Sequence, residues 1–258
     1  MVKSLRAIIV LLASVASAGA APGSASATAR RSPVGIPGQW RLVFDDEFNG
    51  RSINLSTWNP HEGWTNQNDV TDHLSNISVR GGHAILQLAS ATSGAAIATN
   101  HFSLKVGEYA EARIRFAGDG GTIYNWPAWW ISGPSWPSAG ENDIAEGLGS
   151  LTVNYHSPAG ALETGTVNGT WARRFHTYGI YRGPNDARVY WDGRLVRTYP
   201  THDSGAPESL ILTMGASNVL RFGAAGQMVV DYVRAWEPAR GRPGLRGVAQ
   251  RAISHRSG

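Results

Sequence analysis

The chain has no cysteine, which excludes disulfides, thiolate nucleophiles, iron–sulfur clusters and cysteine-based zinc sites. Lysine is almost absent, with only Lys3 and Lys105. Charged residues make up 16% of the 258 positions against 42% apolar ones, a balance that excludes an intrinsically disordered chain. Helical periodicity is scarce, and 31 Gly with 13 Pro disfavour a long helical bundle. Long apolar runs are also missing: the stretch Ala7 to Val15 is shorter than the about 20 residues a membrane span requires.

A net charge of +4 first suggests a polyanion partner, but its distribution removes that reading. Residues 39–239 hold all 19 Asp and Glu and only 14 of the 23 Lys and Arg, a net −5. Such a body offers no stripe along which phosphates would track, so no nucleic-acid partner is expected.

Two cationic residues, a short apolar run and Ala16-Ser17-Ala18 read as a secretion signal over residues 1–18. The expected product is extracellular, with no membrane attachment after cleavage, and works as a monomer. Residues 19–38 have linker composition and 240–258 form a basic tail, both expected to be disordered. The folded domain then spans 39–239.

Within it, Ala112, Ile114 and Phe116 alternate with Glu111, Arg113 and Arg115, a period of two that places the apolar set on one sheet face. Asp192-Gly193 between Val189-Tyr190-Trp191 and Arg194-Leu195-Val196 is a hairpin signal. Short β-rich runs recur at 40–44, 83–88, 151–156, 177–181, 209–214 and 228–236. The expected architecture is all-β, a two-sheet jelly-roll sandwich.

Glu141, Asp143 and Glu146 put three acids in six positions. On a regular strand Glu141 and Asp143 share a face and Glu146 points away, while a β-bulge after Asp143 returns Glu146 to their side. Crowded carboxylates repel, so at least one should keep its proton near neutrality. A protonated acid beside an ionised one suits glycoside hydrolysis. A flat strand would hold the Glu141 and Glu146 Cα atoms roughly 16 Å apart. A metal-binding acidic turn and a solvated strand end therefore stay open as alternatives. Tyr124, Trp126, Trp129, Trp130 and Trp136 lie close by in sequence; Trp129 and Trp130 must face opposite sides, with Trp130 sharing the parity of Trp126.

Trp126-Pro-Ala-Trp-Trp130, Trp136-Pro and Gly140-Glu-Asn-Asp-Ile-Ala-Glu146 together resemble the signature of glycoside hydrolase family 16, in its bulged, laminarinase-like branch. Further matches cover about 200 residues in order: the entry segment 40–50, Tyr109 to Arg113, Phe175 to Tyr178, Trp191 to Gly193, and Val230 to Arg234. The resemblance implies a jelly roll with a concave cleft, and retaining endo-hydrolysis of internal β-1,3 or mixed β-1,3-1,4 bonds of a β-glucan. It implies Glu141 as nucleophile, Asp143 as the residue tuning protonation and Glu146 as acid/base, with His156 as a substrate-binding histidine, or else a turn residue before Pro158; Trp126, Trp130 and Trp136, beside the acids, are expected to bind substrate where they do not fill the core. No cofactor is implied for catalysis, and one structural calcium is, at Glu47, Gly82 and Asp231.

Three features depart from that pattern. Asn142 replaces an aliphatic residue at a core-facing position, where its amide needs partners. The segment 98–102 lacks a usual glucan-contacting arginine, and 162–174 is shorter than many relatives' substrate loops. An agarase- or carrageenase-like galactan hydrolase, a transglycosylase and a non-catalytic sugar-binding sandwich are the competing readings.

Overall fold

The computed structural model describes residues 32–239, so the signal, most of the linker and the basic tail lie outside the described residues. In chain order the strands are β1 (Trp40–Asp46), β2 (Trp58–Pro60), β3 (Thr71–Asp72), β4 (Ile77–Arg80), β5 (His83–Leu86) and β6 (Ser93–Thr99). They continue as β7 (Tyr109–Arg115), β8 (Gly118–Asp119), β9 (Thr122–Ile123), β10 (Trp126–Ser132), β11 (Glu141–Gly147) and β12 (Leu151–Ser157). The remainder are β13 (Gly160–Thr166), β14 (His176–Arg182), β15 (Asp186–Trp191), β16 (Arg194–Pro200), β17 (Ser209–Gly215) and β18 (Met228–Pro238). No helix among the described residues is long and apolar enough to cross a membrane.

The outer sheet runs β16-β15-β14-β7-β18-β5-β4, with β1 also on β18. The inner sheet runs β13-β12-β11-β10-β17-β6-β2, with β3 also on β6. Together they form the expected all-β jelly-roll sandwich. Alternation explains the core: Trp129 and Ile131 of β10, Leu210 and Leu212 of β17, and Ile114 and Tyr178 of the outer sheet interleave between the sheets. Their partners in the alternation, such as Ala128 and Thr213, face the concave side. The β15–β16 hairpin turns as expected on Asp192 and Gly193, whose φ angles of 47° and 73° are those a two-residue primed turn requires.

The linker expectation needs correction at its end. Pro33 is buried, and the Val34 amide donates to Glu111 Oε2 at 3.0 Å. Glu111 is buried among Tyr109, Tyr232 and the outer-sheet core, and a buried carboxyl needs donors. The segment from Ser32 to Gly38 supplies one, so it belongs to the body and not to the linker.

Candidate active site

The inner sheet presents a groove of about 540 Å³. Its lining includes Trp126, Trp130, Trp136, Glu141, Asp143, Glu146 and His156, every cleft residue the sequence pointed to. Trp64, Asn66, Gln67, Asp72 and Thr213, which the sequence reading missed, line it as well.

The bulge lies where the acid spacing places it. Against β12, Asp143 faces Asn154 and Glu146 faces Thr152, with the register shifting between them. Against β10, Asp143 pairs with Trp130 and Ala145 with Trp129. Ile144 and Ala145 are consequently both turned into the core, and Glu141, Asp143 and Glu146 all reach the groove. The widened backbone is anchored from the outer sheet: the Trp191 indole donates to the Ile144 carbonyl at 2.9 Å. At the start of β11, Gly140 has φ 78°, and a Cβ there would approach Asp203 Cβ to 2.6 Å. A side chain at 140 would push the strand off its support.

Each acid has a distinct environment. Glu146 accepts from the Trp126 indole on Oε1 at 2.7 Å and from Asn154 Nδ2 on Oε2 at 2.6 Å. Both Glu146 oxygens are thus held by donors on neighbouring strands. Burial, with the Glu146 charge second, pushes the Glu141 carboxyl up to about 7. Burial also holds Asp143 well above the usual carboxylate range, with Glu146 and then Glu141 adding to it. Asp143 is thus the proton holder that crowding calls for. His156 stands opposite Glu141 in the register, and its Nε2 is 3.6 Å from both Glu141 Oε1 and Asp143 Oδ2.

The aromatic residues divide as parity requires. Trp129 is fully buried and donates to the Tyr178 carbonyl at 3.0 Å. Trp126 and Trp130 face the groove, and Trp136, 64% exposed, stands at one end with its ring 6.4 Å from that of His156. Trp64, 51% exposed, also lines the groove. Asn154 shares the face of His156 two residues away, so strand parity could have found it; Trp64 and Asp72 come from an irregular segment whose sequence carries no such signal.

β1 and β5 pair with successive parts of β18, and the expected calcium positions Glu47, Gly82 and Asp231 adjoin the ends of those pairings. Glu47 Oε1 accepts from Arg234 at 2.7 Å. The Asp231 carboxylate is held by Arg113 at 2.5 Å and lies 3.6 Å from His83 Nε2, so an ion would share it with a guanidinium.

A two-sheet jelly roll whose concave face carries a bulged acid row between tryptophans defines a class of carbohydrate-acting folds. A family model described as Glycosyl hydrolases family 16 matches residues 64–224, and the chain belongs to that family. It is 26% identical over 239 residues to a keratan-sulfate endo-1,4-beta-galactosidase of Sphingobacterium multivorum, covering 77% of this chain and 55% of that one. It is 23% identical over 268 residues to glucan endo-1,3-beta-glucosidase A1 of Niallia circulans, covering 76% and 38% respectively. The chain thus spans about half or less of the length of these curated relatives. Among solved structures, an endo-beta-1,3-glucanase from Pyrococcus furiosus shares the fold with a TM-score of 0.65 and 23% identity, over 81% of this chain and 100% of that one.

Proposed function

We propose that the protein is a secreted, retaining endo-β-glucanase that hydrolyses internal β-1,3 or mixed β-1,3-1,4 glucosidic bonds. The observation that carries this reading is the bulge that turns Glu141, Asp143 and Glu146 together into a groove. Exposed Trp64 and Trp136 at its margins suit a long chain binding across the sheet. The likeness to a glucan endo-1,3-beta-glucosidase supports the choice of sugar.

In this reading Glu141 attacks the anomeric carbon while Glu146 gives its proton to the departing glycosidic oxygen. The crowded site favours a single negative charge shared by the two, which must sit on Glu141 for attack. His156 Nε2 lies 3.6 Å from Glu141 Oε1, on the side where that charge would sit. Once Glu141 becomes a neutral ester the charge moves to Glu146, where Trp126 and Asn154 hold the carboxylate that deprotonates the incoming water. Asp143, buried and protonated between them, adds no second charge.

The test is reducing-end release from laminarin, lichenan, keratan sulfate, agarose and carrageenan, with the first-formed anomer read by proton NMR. Cleavage of a β-glucan with a β product supports the proposal. The galactosidase relative makes a galactan hydrolase the second reading, and release from keratan sulfate or agarose alone would establish it. Binding without release from any would leave a sugar-binding sandwich.

A further inference from the structure

The groove continues well beyond the acids. Glu146 lies opposite Ala128 of β10, Ala128 opposite Thr213 of β17, and Thr213 opposite Ala96 of β6. Of these, Ala128 and Thr213 line the groove, small side chains that leave it open across β10 and β17. On the next strand Asp72 of β3 pairs with Gly94 of β6. It is four strand spacings from β11, roughly 19 Å along the sheet, yet it lines the same cavity together with Trp64, Asn66 and Gln67.

The main chain of Asp72 is committed to the fold, its N–H donating to the Trp64 carbonyl and its carbonyl accepting from Gly63. Its side chain is not. Only 4% of the residue is exposed, and no hydrogen bond reaches its carboxylate from the described residues. Neither Asp72 oxygen is among the buried side-chain atoms that lack a partner, so the carboxyl opens onto the groove it lines, where a hydroxyl of a bound chain can reach it. Burial pushes this carboxyl up to about 7, with His73 drawing it down and Glu62 raising it. Gly94 lets β6 pack closely at this point, since a Cβ there would lie 2.3 Å from the Met214 carbonyl oxygen and 2.7 Å from Val70 Cγ1. The exposed Trp64 ring in the same wall offers a face on which a sugar can stack.

We propose that Asp72, with Trp64 beside it, is the specificity-determining residue of a distal subsite that takes the hydroxyl groups of a glycosyl unit several units from the cleaved bond. The proposal deepens the reading of the groove as a polysaccharide site and rests on it. It means that affinity for long chains is set partly at a carboxyl remote from the chemistry.

The experiment compares the full chain with Asp72→Asn and Asp72→Ala on two substrates of one sugar: an oligosaccharide long enough to fill the groove, and an activated aryl glycoside of the disaccharide. For Asp72→Ala, KM on the long substrate should rise about tenfold, the loss of roughly one good hydrogen bond. Its kcat should hold, and both constants on the short substrate should stay as in the wild type. Asp72→Asn, which keeps polar atoms at the site, should fall between the two. An unchanged KM on the long substrate in both variants would overturn the proposal. So would an equal loss on long and short substrates, which would mean that Asp72 merely supports the fold. If the wild type cleaves a galactan and no glucan, the glucan reading fails, and the same length comparison on galactan oligosaccharides still decides the role of Asp72.

Discussion

Asn142 donates through Nδ2 to Glu208 Oε2 at 2.8 Å, on the face of β11 opposite the three acids. Its Oδ1 accepts from the Tyr199 hydroxyl at 2.9 Å. Arg182 Nη2 then bridges Asp203 Oδ2 at 2.9 Å and Glu208 Oε1 at 3.0 Å. The amide that looked misplaced in a core position is thus the end of a buried polar knot that reaches β14 and β16 and backs the catalytic strand. Two carboxyls share one guanidinium there, and burial still pushes Glu208 up to about 8 despite Arg182.

Asn142→Leu should leave the Tyr199 hydroxyl and a Glu208 oxygen without partners, at a cost of about 1–3 kcal/mol for each orphaned group. Arg182→Met should cost more, about 3–5 kcal/mol, because two buried carboxyls lose their counter-charge. Urea unfolding of both variants at one pH measures the order. An Asn142→Leu protein as stable as the parent would show that apolar packing serves β11 equally well.

Much of the site was legible because strands impose a period of two. Three acids in six positions allow a shared face only through a bulge, and Trp129 next to Trp130 forces one ring into the core. Asn142 was legible as a problem but not in its solution, since its partner Glu208 lies 66 residues away and only the packed fold joins them. Trp64 and Asp72 were missed for a related reason. Asp72 enters the groove through β3, a two-residue strand set by long-range pairing with β6, and Trp64 from the irregular turn whose carbonyl accepts from the Asp72 amide, where no periodicity can develop. The end of the linker misled because Pro33 and Val34 look like spacer until the buried Glu111 carboxyl is seen to need an N–H.

Calcium at Glu47, Gly82 and Asp231 remains a proposal with a plain thermodynamic consequence. An ion that binds only the folded chain raises stability by RT ln(1 + [L]/Kd), so chelation should lower the melting temperature and added calcium restore it. Catalysis should persist below that temperature, because the site is on the outer sheet. A melting curve indifferent to both chelator and calcium would reject the ion.

Stability should also fall as pH rises. Burial lifts Glu141 and Asp72 to about 7 and Glu208 to about 8. Each holds its proton more tightly folded than unfolded, so its contribution is complete below the ordinary carboxylate range. It is lost as pH climbs from there through the raised values. The protein should therefore resist denaturant better near pH 5 than near pH 8.5. Glu141→Gln should remove on the order of 2 kcal/mol of that dependence, and a slope as steep as the parent's would count against a raised Glu141. In the proposed mechanism attack needs Glu141 ionised, so kcat/KM should follow a bell with its acidic limb near the same value, about 7.

The roles of Glu141 and Glu146 can be separated by the stereochemistry of a trapped product. In Glu146→Ala the acid is gone but the nucleophile remains, so an aryl β-glycoside with a good leaving group still forms the ester on Glu141. Azide then displaces that ester, and two inversions return a β-glycosyl azide. In Glu141→Ala no ester can form, azide enters the space left by the carboxylate, and one inversion gives the α-azide. Both variants lose most activity on glucan, because general acid–base assistance alone accounts for roughly 100- to 10,000-fold in rate. Opposite anomers, read by proton NMR, follow from Glu141 as nucleophile and Glu146 as acid/base. Exchanged anomers would reverse the two roles, in keeping with the donors that Trp126 and Asn154 direct at Glu146. The same anomer from both, with an inverted product from the unmodified enzyme, would mean that water and not a carboxylate attacks the sugar.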